Sequence, residues 1–159
     1  MLNIYDNNNE YLSFKVNDVN FAINSKYIDS IASTDNITDV PKSSMYIDGM
    51  ISFRSRVIPV INLGEYLFSK RDNCNNNLVI ICNIKDKIVA LRISSINFIT
   101  KACTENIYPV DSILKNRLYM ISGYIADENK NITQILDLDK VIYDIDINDL
   151  MDATNEEKN

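Results

Sequence analysis

Acidic side chains are the residues of this chain best suited to chemistry, because none of its 159 residues is histidine. Asp137 and Asp139 lie two residues apart, and further carboxylates follow at Asp144, Asp146 and Asp149. Paired carboxylates can bind a divalent metal or transfer protons in acid–base catalysis. Their spacing, however, lacks the turn glycine and distal glutamate of a calcium-binding loop, and carboxylates at a helix start commonly serve the helix dipole. We therefore predict no metal site and no cofactor.

Nucleophilic catalysis has no support in this sequence. Serine and cysteine nucleophiles lack a histidine to activate them, and three scattered glycines cannot form a phosphate-binding loop. Cys74, Cys82 and Cys103 form no C-x-x-C pair, which is typical of reduced thiols in a cytosolic protein. We predict that the protein is not an enzyme, and catalysis by paired carboxylates is the weakest alternative.

Composition excludes two further classes of function. The net charge of −6 argues against nucleic acid as a partner, because phosphates are bound mainly by clustered lysine and arginine. No apolar run approaches the roughly 20 residues needed to cross a bilayer, and the first residues do not resemble an export signal. We predict a cytoplasmic protein without direct membrane insertion.

The chain contains an internal repeat, which predicts two similar β units. Ile47–Ile51 reappears as Ile121–Ile125, with glycine at the third position of each. Leu12–Asp18 is similar to Ile80–Asp86, and Val60–Leu63 is similar to Ile135–Leu138. Alternating apolar residues separated by short polar turns are typical of strands joined as hairpins, and no helix long enough for a parallel crossover is indicated.

The turns and linkers divide the sequence into five predicted segments. These are a flexible arm (1–10), a first β-barrel subdomain (11–70), a polar linker (71–77), a second β-barrel subdomain (78–143) and an acidic C-terminal tail (144–159). Within the first subdomain, Ser25 is predicted to cap a short helical turn that places Ile28 and Ile31 on one face, with Ile31 in the core. Pro59 is expected at a sheet edge or a bulge.

Arg54 is a candidate binding residue, and it lies near the bend of the predicted hairpin that joins the two most apolar strands. An arginine near a hairpin bend can clamp a carboxylate of a partner bidentately. The alternative is that Arg54 and Arg56 are both solvated surface charges, since exposed ion pairs contribute only about 0–1 kcal/mol.

The segment from Ile47 to Leu63 resembles the signature of the CheW-type coupling proteins of bacterial chemotaxis. That signature places glycine, arginine, Pro-Val and leucine at the positions of Gly49, Arg54, Pro59-Val60 and Leu63. The resemblance extends over about residues 10–143, because Ile135–Lys140 resembles the closing motif of the family.

The resemblance implies an all-β fold with short helices, in which two small five-stranded barrels similar to SH3 domains pack side by side. It also implies a non-enzymatic adaptor that couples methyl-accepting chemoreceptors to the regulatory domain of the histidine kinase CheA, recruited to membrane receptor arrays. The receptor's cytoplasmic tip would lie in the groove between the barrels and the kinase at the exposed end of one barrel. Positions that match receptor contacts of the family are Ile28, Gly49, Arg54, Ser95 and Ile96, whereas no kinase-binding residues are assigned.

Four positions depart from the family pattern: Ser52, Ser55, Asn62 and Ser94. Serine at position 55 replaces a glycine that accepts positive φ freely, and Asn62 replaces an aspartate. These departures favour an alternative in which the chain is a divergent paralogue that serves another kinase or only one partner. Gly49 and Gly123 are also open to a purely structural interpretation, as sites of close backbone approach or of a bulge.

Overall fold

The computed structural model describes residues 10–41, 43–71, 77–102, 106–114 and 118–146. Eleven strands occur in this part of the chain, with an α-helix (α1, Leu63–Phe68), a 3-10 turn (Ser25–Tyr27) and a second helix (α2) over residues 138–146. The strands are β1 (Glu10–Val16), β2 (Val19–Asn24), β3 (Ile28–Ser33), β4 (Ile47–Phe53), β5 (Arg56–Asn62), β6 (Leu78–Ile84), β7 (Lys87–Arg92), β8 (Ser95–Lys101), β9 (Ile107–Tyr108), β10 (Ile121–Ala126) and β11 (Ile132–Leu136). The all-β prediction is confirmed. Most of the predicted arm and linker, the end of the tail, Cys74 and Cys103 lie outside the described residues.

The strands form two sheets of matching order. Sheet A runs β8-β1-β2-β11-β10-β9, and sheet B runs β3-β6-β7-β5-β4. Each position of sheet B has a counterpart in sheet A, and the two-residue β9 is an additional sixth strand. The irregularities repeat as well, because β4 shifts register between Ile47 and Gly49 and β10 shifts between Ile121 and Gly123. The internal repeat of the sequence therefore corresponds to a structural repeat.

The two repeats exchange their opening hairpins. The β1–β2 hairpin comes first in the chain, yet it joins sheet A, where β2 pairs in parallel with β11 through Phe21–Gln134 and Ala22–Ile135. The β6–β7 hairpin opens the second repeat, yet it joins sheet B, where β7 pairs in parallel with β5 over Val60–Asn62. Each sheet therefore contains strands from both halves of the chain.

This exchange corrects the continuous ranges 11–70 and 78–143 predicted for the two barrels. The predicted boundary follows the polar linker between the two repeats, but each sheet takes strands from both sides of that linker. The two opening hairpins share one apolar pattern and one turn length, so the pattern does not specify which repeat each hairpin completes.

Three groups of buried side chains stabilise this arrangement. Ile51, Ile58, Val60, Val79, Ile81 and Ala90 belong to sheet B alone, and Tyr11, Ala22, Ala102 and Ile135 pack on sheet A. The largest group lies between the sheets and includes Phe14, Phe21, Leu63, Ile80 and Leu91, all with essentially no exposed surface. Helix α2 contributes Leu138, Val141, Ile142 and Ile145 to this central cluster, which fuses the two sheets into one body.

Three hairpins use the same two-residue turn with positive φ at both positions. The turn residues are Asn17-Asp18, Arg54-Ser55 and Lys85-Asp86, and their φ values lie between 47° and 67°. Such turns match the right-handed twist of the flanking strands, which is why they are common in tight hairpins. Ser55, with φ of 64°, adopts the conformation that a glycine would adopt at lower cost.

Two local predictions in the first repeat were wrong. The helical turn is capped by Asn24, whose side chain accepts from the Lys26 N–H, and it ends before Ile28. Ile28 and Ile31 then lie in strand β3 on either side of a register shift, and Ile31 is 43% exposed rather than buried. Pro59 lies in the interior strand β5, at a point where pairing with β7 has not yet begun.

No helix in the described part of the chain is long and apolar enough to span a bilayer.

Replacing Ser55 by glycine should stabilise the protein. A non-glycine residue at positive φ is strained by roughly 1–2 kcal/mol, and the greater freedom of glycine in the unfolded chain offsets part of that. We expect Ser55→Gly to raise the free energy of unfolding by about 0.5–1 kcal/mol in urea denaturation. The control is Ser52→Gly in the extended part of the same hairpin, which should lower it. Equal destabilisation by both variants would contradict the turn assignment.

The Cys82 thiol should be inert in the folded protein. Burial raises its pKa to about 12, so the reactive thiolate is scarce near neutral pH. In a Cys74→Ser, Cys103→Ser variant, we expect a thiol reagent to label Cys82 at pH 8 only in denaturant. Because the pKa of the thiol is 9.0 when unfolded and about 12 when folded, burial of Cys82 should make the protein progressively less stable as the pH rises from the first value toward the second. Rapid labelling of the native variant would contradict this burial.

Candidate functional site

Arg54 lies at the tip of the β4–β5 hairpin with its side chain 68% exposed. One guanidinium nitrogen, Nη1, donates to Oδ1 of Asp29 at 3.0 Å. The guanidinium carbon lies 4.8 Å from the ring centre of Phe53, which is the geometry of a cation–π contact. The guanidinium is therefore oriented by two neighbours, and its other N–H donors remain available to a partner.

Ile28 and Ile96 occupy equivalent positions of the two repeats. Ile28 is opposite Cys82 of β6, and Ile96 is opposite Phe14 of β1. Both side chains are half-buried and pack against the central cluster between the sheets. Ser95 precedes Ile96 on β8 and is opposite Lys15.

Gly49 fills a structural role in strand β4. A Cβ atom there would lie 2.3 Å from the carbonyl oxygen of Thr38, and φ is +152°. The neighbouring Met50 exchanges backbone hydrogen bonds with Thr38 at 2.8 and 2.9 Å. Gly49 is therefore required by the close approach of residues 37–38, and it lies roughly 13 Å along the strand from Phe53.

The structure brings only some of the predicted site residues together. Arg54 contacts Asp29, and Asp29 follows Ile28 in strand β3, so this pair forms one surface of sheet B. Ser95 and Ile96 lie on sheet A, and Ile96 packs against the same central cluster as Ile28. Asp29 was missed by sequence reasoning, since an aspartate 25 residues from its arginine carries no local signal.

The carboxylate of Asp48 is buried and is paired with two arginines. Its side chain is 3% exposed and lies within 2.6 Å of Arg71 Nη2 and 2.9 Å of Arg92 Nη1. Asn62 donates from Nδ2 to the same carboxylate at 3.0 Å, and Arg92 donates to the Asn77 side chain at 3.2 Å. The Asp48 cluster, comprising these five residues, therefore joins β4, β5, β7 and both ends of the predicted linker.

The Asp48 cluster explains the departure at position 62. The Asn62 side chain accepts the Glu65 N–H at 3.0 Å, which caps helix α1, while its amide donates to Asp48. An aspartate at position 62 would place a second carboxylate against Asp48 and could not donate.

The C-terminal carboxylates considered above as metal ligands or acid–base groups form hydrogen bonds and ion pairs with neighbouring residues. Asp137 accepts the Lys140 N–H at the start of α2. Asp139 and Asp146 line a hollow of about 140 Å³, where Lys85 pairs with the first and Lys87 with the second. Asp144 accepts the Tyr66 hydroxyl at 2.5 Å, and burial together with this contact raises the pKa of Tyr66. Asp149 lies outside the described residues.

Comparison with known proteins identifies relatives over nearly the whole described chain. A family model described as the CheW-like domain matches residues 10–146. The chain is 28% identical over 138 residues to the chemotaxis protein CheW of Thermotoga maritima, covering 87% of this chain and 90% of that protein. It is 24% identical over 131 residues to a probable chemotaxis protein CheW of Rhizobium etli, covering 82% and 84%. The crystal structure of the scaffolding protein TtCheW from Thermoanaerobacter tengcongensis superposes with a TM-score of 0.74 at 16% identity, covering 87% of this chain and 90% of that one, which supports the shared fold.

Removing the Asp48 carboxylate should destabilise the protein more than removing an exposed one. Asp48→Asn leaves the partly buried Arg92 without its counter-charge, and breaking such a pair costs about 3 kcal/mol. The control Asp29→Asn breaks a more exposed pair and should cost no more than about 1 kcal/mol. Urea denaturation of both variants measures the difference, and equal losses would contradict the importance of the Asp48 cluster.

Proposed function

The chain belongs to the CheW-like domain family, and we propose that it bridges the cytoplasmic tip of a methyl-accepting chemoreceptor to the regulatory domain of the histidine kinase CheA. It is a scaffold protein of chemotaxis, as its relatives are. Binding to the receptor would recruit it to membrane receptor arrays. The family consists of non-enzymatic adaptors, and we infer that this chain likewise has no catalytic activity.

The observation that carries the receptor assignment is the exposed, pre-oriented guanidinium of Arg54. Its ion pair with Asp29 and its contact with Phe53 reduce the freedom that the side chain would lose on binding. Its remaining donors match a carboxylate presented by a receptor helix. Ile28, which precedes Asp29 on strand β3 and is half-buried, would add apolar surface to the proposed receptor site.

Ser95 and Ile96 extend the proposed receptor surface onto sheet A. Ile96 and Ile28 are equivalent in the two repeats and both border the central cluster, so a helix lying across the junction of the sheets would meet both. Gly49 is proposed to contribute indirectly, because it shapes the strand that ends at Arg54.

Bridging requires only that each partner binds a separate face of one rigid body. The central cluster and helix α2 hold the two sheets together, so the relative orientation of two bound partners would be fixed. A signal could then pass as a change in the orientation of the partners against this body.

The departures from the family pattern do not favour a chain that serves only one partner. Ser55 retains the left-handed turn of its hairpin, and Asn62 is satisfied by Asp48 and the start of α1. The Ser94 hydroxyl accepts the Asn17 N–H at 3.3 Å, which is a local structural contact. These positions are therefore compatible with both partner interactions.

Reversing the charge at position 54 should weaken receptor binding selectively. Arg54→Glu replaces the proposed carboxylate clamp by repulsion, which we expect to lower affinity for a soluble receptor fragment by about tenfold or more. Arg56→Glu, two residues away on the same hairpin, is the matched control and should bind nearly as the parent does. Calorimetric titration with receptor and CheA fragments measures both affinities, and circular dichroism checks the fold. An unchanged receptor affinity for Arg54→Glu would exclude this residue from the interface.

A further inference from the structure

The β1–β2 hairpin is attached to the rest of the described chain at one point. It continues into β3 through the 3-10 turn Ser25–Tyr27, and it lies in the middle of sheet A, between β8 and β11. The other strands of sheet A all follow residue 94, whereas sheet B is built entirely from the continuous segment 28–92. The hairpin therefore fills a gap in a sheet whose other strands are distant in sequence.

The gap in sheet A requires this hairpin for its apolar core and for its strand pairing. β1 pairs with β8 over almost its whole length, and β2 pairs in parallel with β11. Removing the hairpin would expose the facing side of the central cluster, to which it contributes side chains that are at most 2% exposed: Leu12, Phe14, Val16, Phe21 and Ile23. None of these contacts depends on which chain supplies the hairpin.

The turn between β2 and β3 has the properties of a hinge. None of its residues is buried, although Tyr27, at its end, packs against the central cluster. Asn24, which precedes it, already has an extended backbone with φ of −64° and ψ of 133°. The Lys26 N–H donates to the Asn24 side chain, and the Ile28 N–H donates to the Ser25 carbonyl. Extending Ser25 and Lys26 breaks these two local bonds and leaves the pairing of β1 with β2 intact.

We propose that two copies of the chain exchange β1–β2 hairpins about this hinge, so that the hairpin of each copy fills sheet A of the other. The pairing of β1 with β8 and of β2 with β11 then re-forms between chains, as does the central cluster. Because the contacts are the same, the two forms differ mainly in the hinge and in the entropy of association, which makes the exchange a low-cost route to a dimer. The dimer presents two copies of the surface around Arg54, but the exchange and its test do not depend on the proposed function.

The central cluster makes the exchange slow, because the hairpin can leave sheet A only if the cluster opens. The concentration during refolding should therefore determine which form is obtained. The first experiment is refolding of the full-length protein from urea at low micromolar and at near-millimolar concentration, followed by size-exclusion chromatography with light scattering. We expect the dimer-to-monomer ratio to rise by about tenfold or more between the two, and the isolated dimer to persist after dilution.

An engineered disulfide between β1 and β8 identifies which chain supplies the hairpin. Glu10 lies opposite Lys101, and the register set by the two-residue turn of the hairpin makes this a pair without backbone hydrogen bonds. Cysteines at such a pair are close enough to form a disulfide. We make Glu10→Cys with Lys101→Cys in the Cys74→Ser, Cys103→Ser background and oxidise both fractions. On a non-reducing gel, we expect a covalent dimer from the dimer fraction and a monomer from the monomer fraction.

The matched control is a disulfide within a hairpin that each chain keeps for itself. Ala126 of β10 lies opposite Ile132 of β11, next to the hydrogen bond from the Asp127 N–H to the Asn131 carbonyl, so this is also a pair without backbone bonds. Ala126→Cys with Ile132→Cys in the same background should run as a monomer from both fractions.

Shortening the hinge should favour the dimer. Deleting Ser25 and Lys26 removes the residues that turn the chain back, so β2 can reach sheet A of its own chain only with strain. We expect the deletion to raise the dimer-to-monomer ratio by about tenfold or more at equal concentration. Inserting Gly-Gly-Ser after Lys26 should lower the same ratio. If the deletion variant does not fold, the disulfide in the protein with the parent hinge decides the point.

Three results would overturn the proposal. The first is a protein that refolds only as a monomer at every concentration. The second is a dimer fraction in which the Glu10→Cys, Lys101→Cys disulfide stays within each chain, which would assign the dimer to a surface contact. The third is a folded hinge-deletion variant that remains as monomeric as the parent.

Discussion

The exchange of opening hairpins between the two repeats is the constraint on which the rest of this structure depends. Sheet B takes β6 and β7 from the second half of the chain, and sheet A takes β1 and β2 from the first. The parallel pairs β5–β7 and β2–β11 exist only because of this exchange. Neither half can complete a sheet with its own strands in this arrangement, so the two sheets are expected to fold as one cooperative unit.

This intertwined arrangement suits a protein whose work is to hold partners in a defined relation. The central cluster buries side chains from both sheets and from α2, so a hinge between the sheets would expose a large apolar surface. The Asp48 cluster adds directional contacts that tie β4 and β7 to both ends of the linker. The surface around Arg54 is built on sheet B, at the tip of the β4–β5 hairpin.

Sequence reasoning predicted the strands well because alternation and turn residues are local signals, and the motif around Arg54 indicated the family. It did not predict the hairpin exchange, since similar hairpins are interchangeable by pattern alone. It placed Ile31 in the core through a helical spacing that the strand conformation overrides. It also missed the Asp48 cluster, because an ion pair between residues 44 apart depends on tertiary structure. Of the predicted site, the position of Arg54 at a hairpin bend could be predicted from the sequence, whereas its contact with Asp29 could not.

The most direct test of this account is complementation between two fragments cut within the linker, residues 1–74 and 75–159. Because each sheet needs strands from both fragments, neither should show native circular dichroism or a dispersed NMR spectrum alone, and mixing them should restore both. If either fragment folds alone into a stable barrel with cooperative unfolding, the hairpin exchange is not the constraint that holds this protein together.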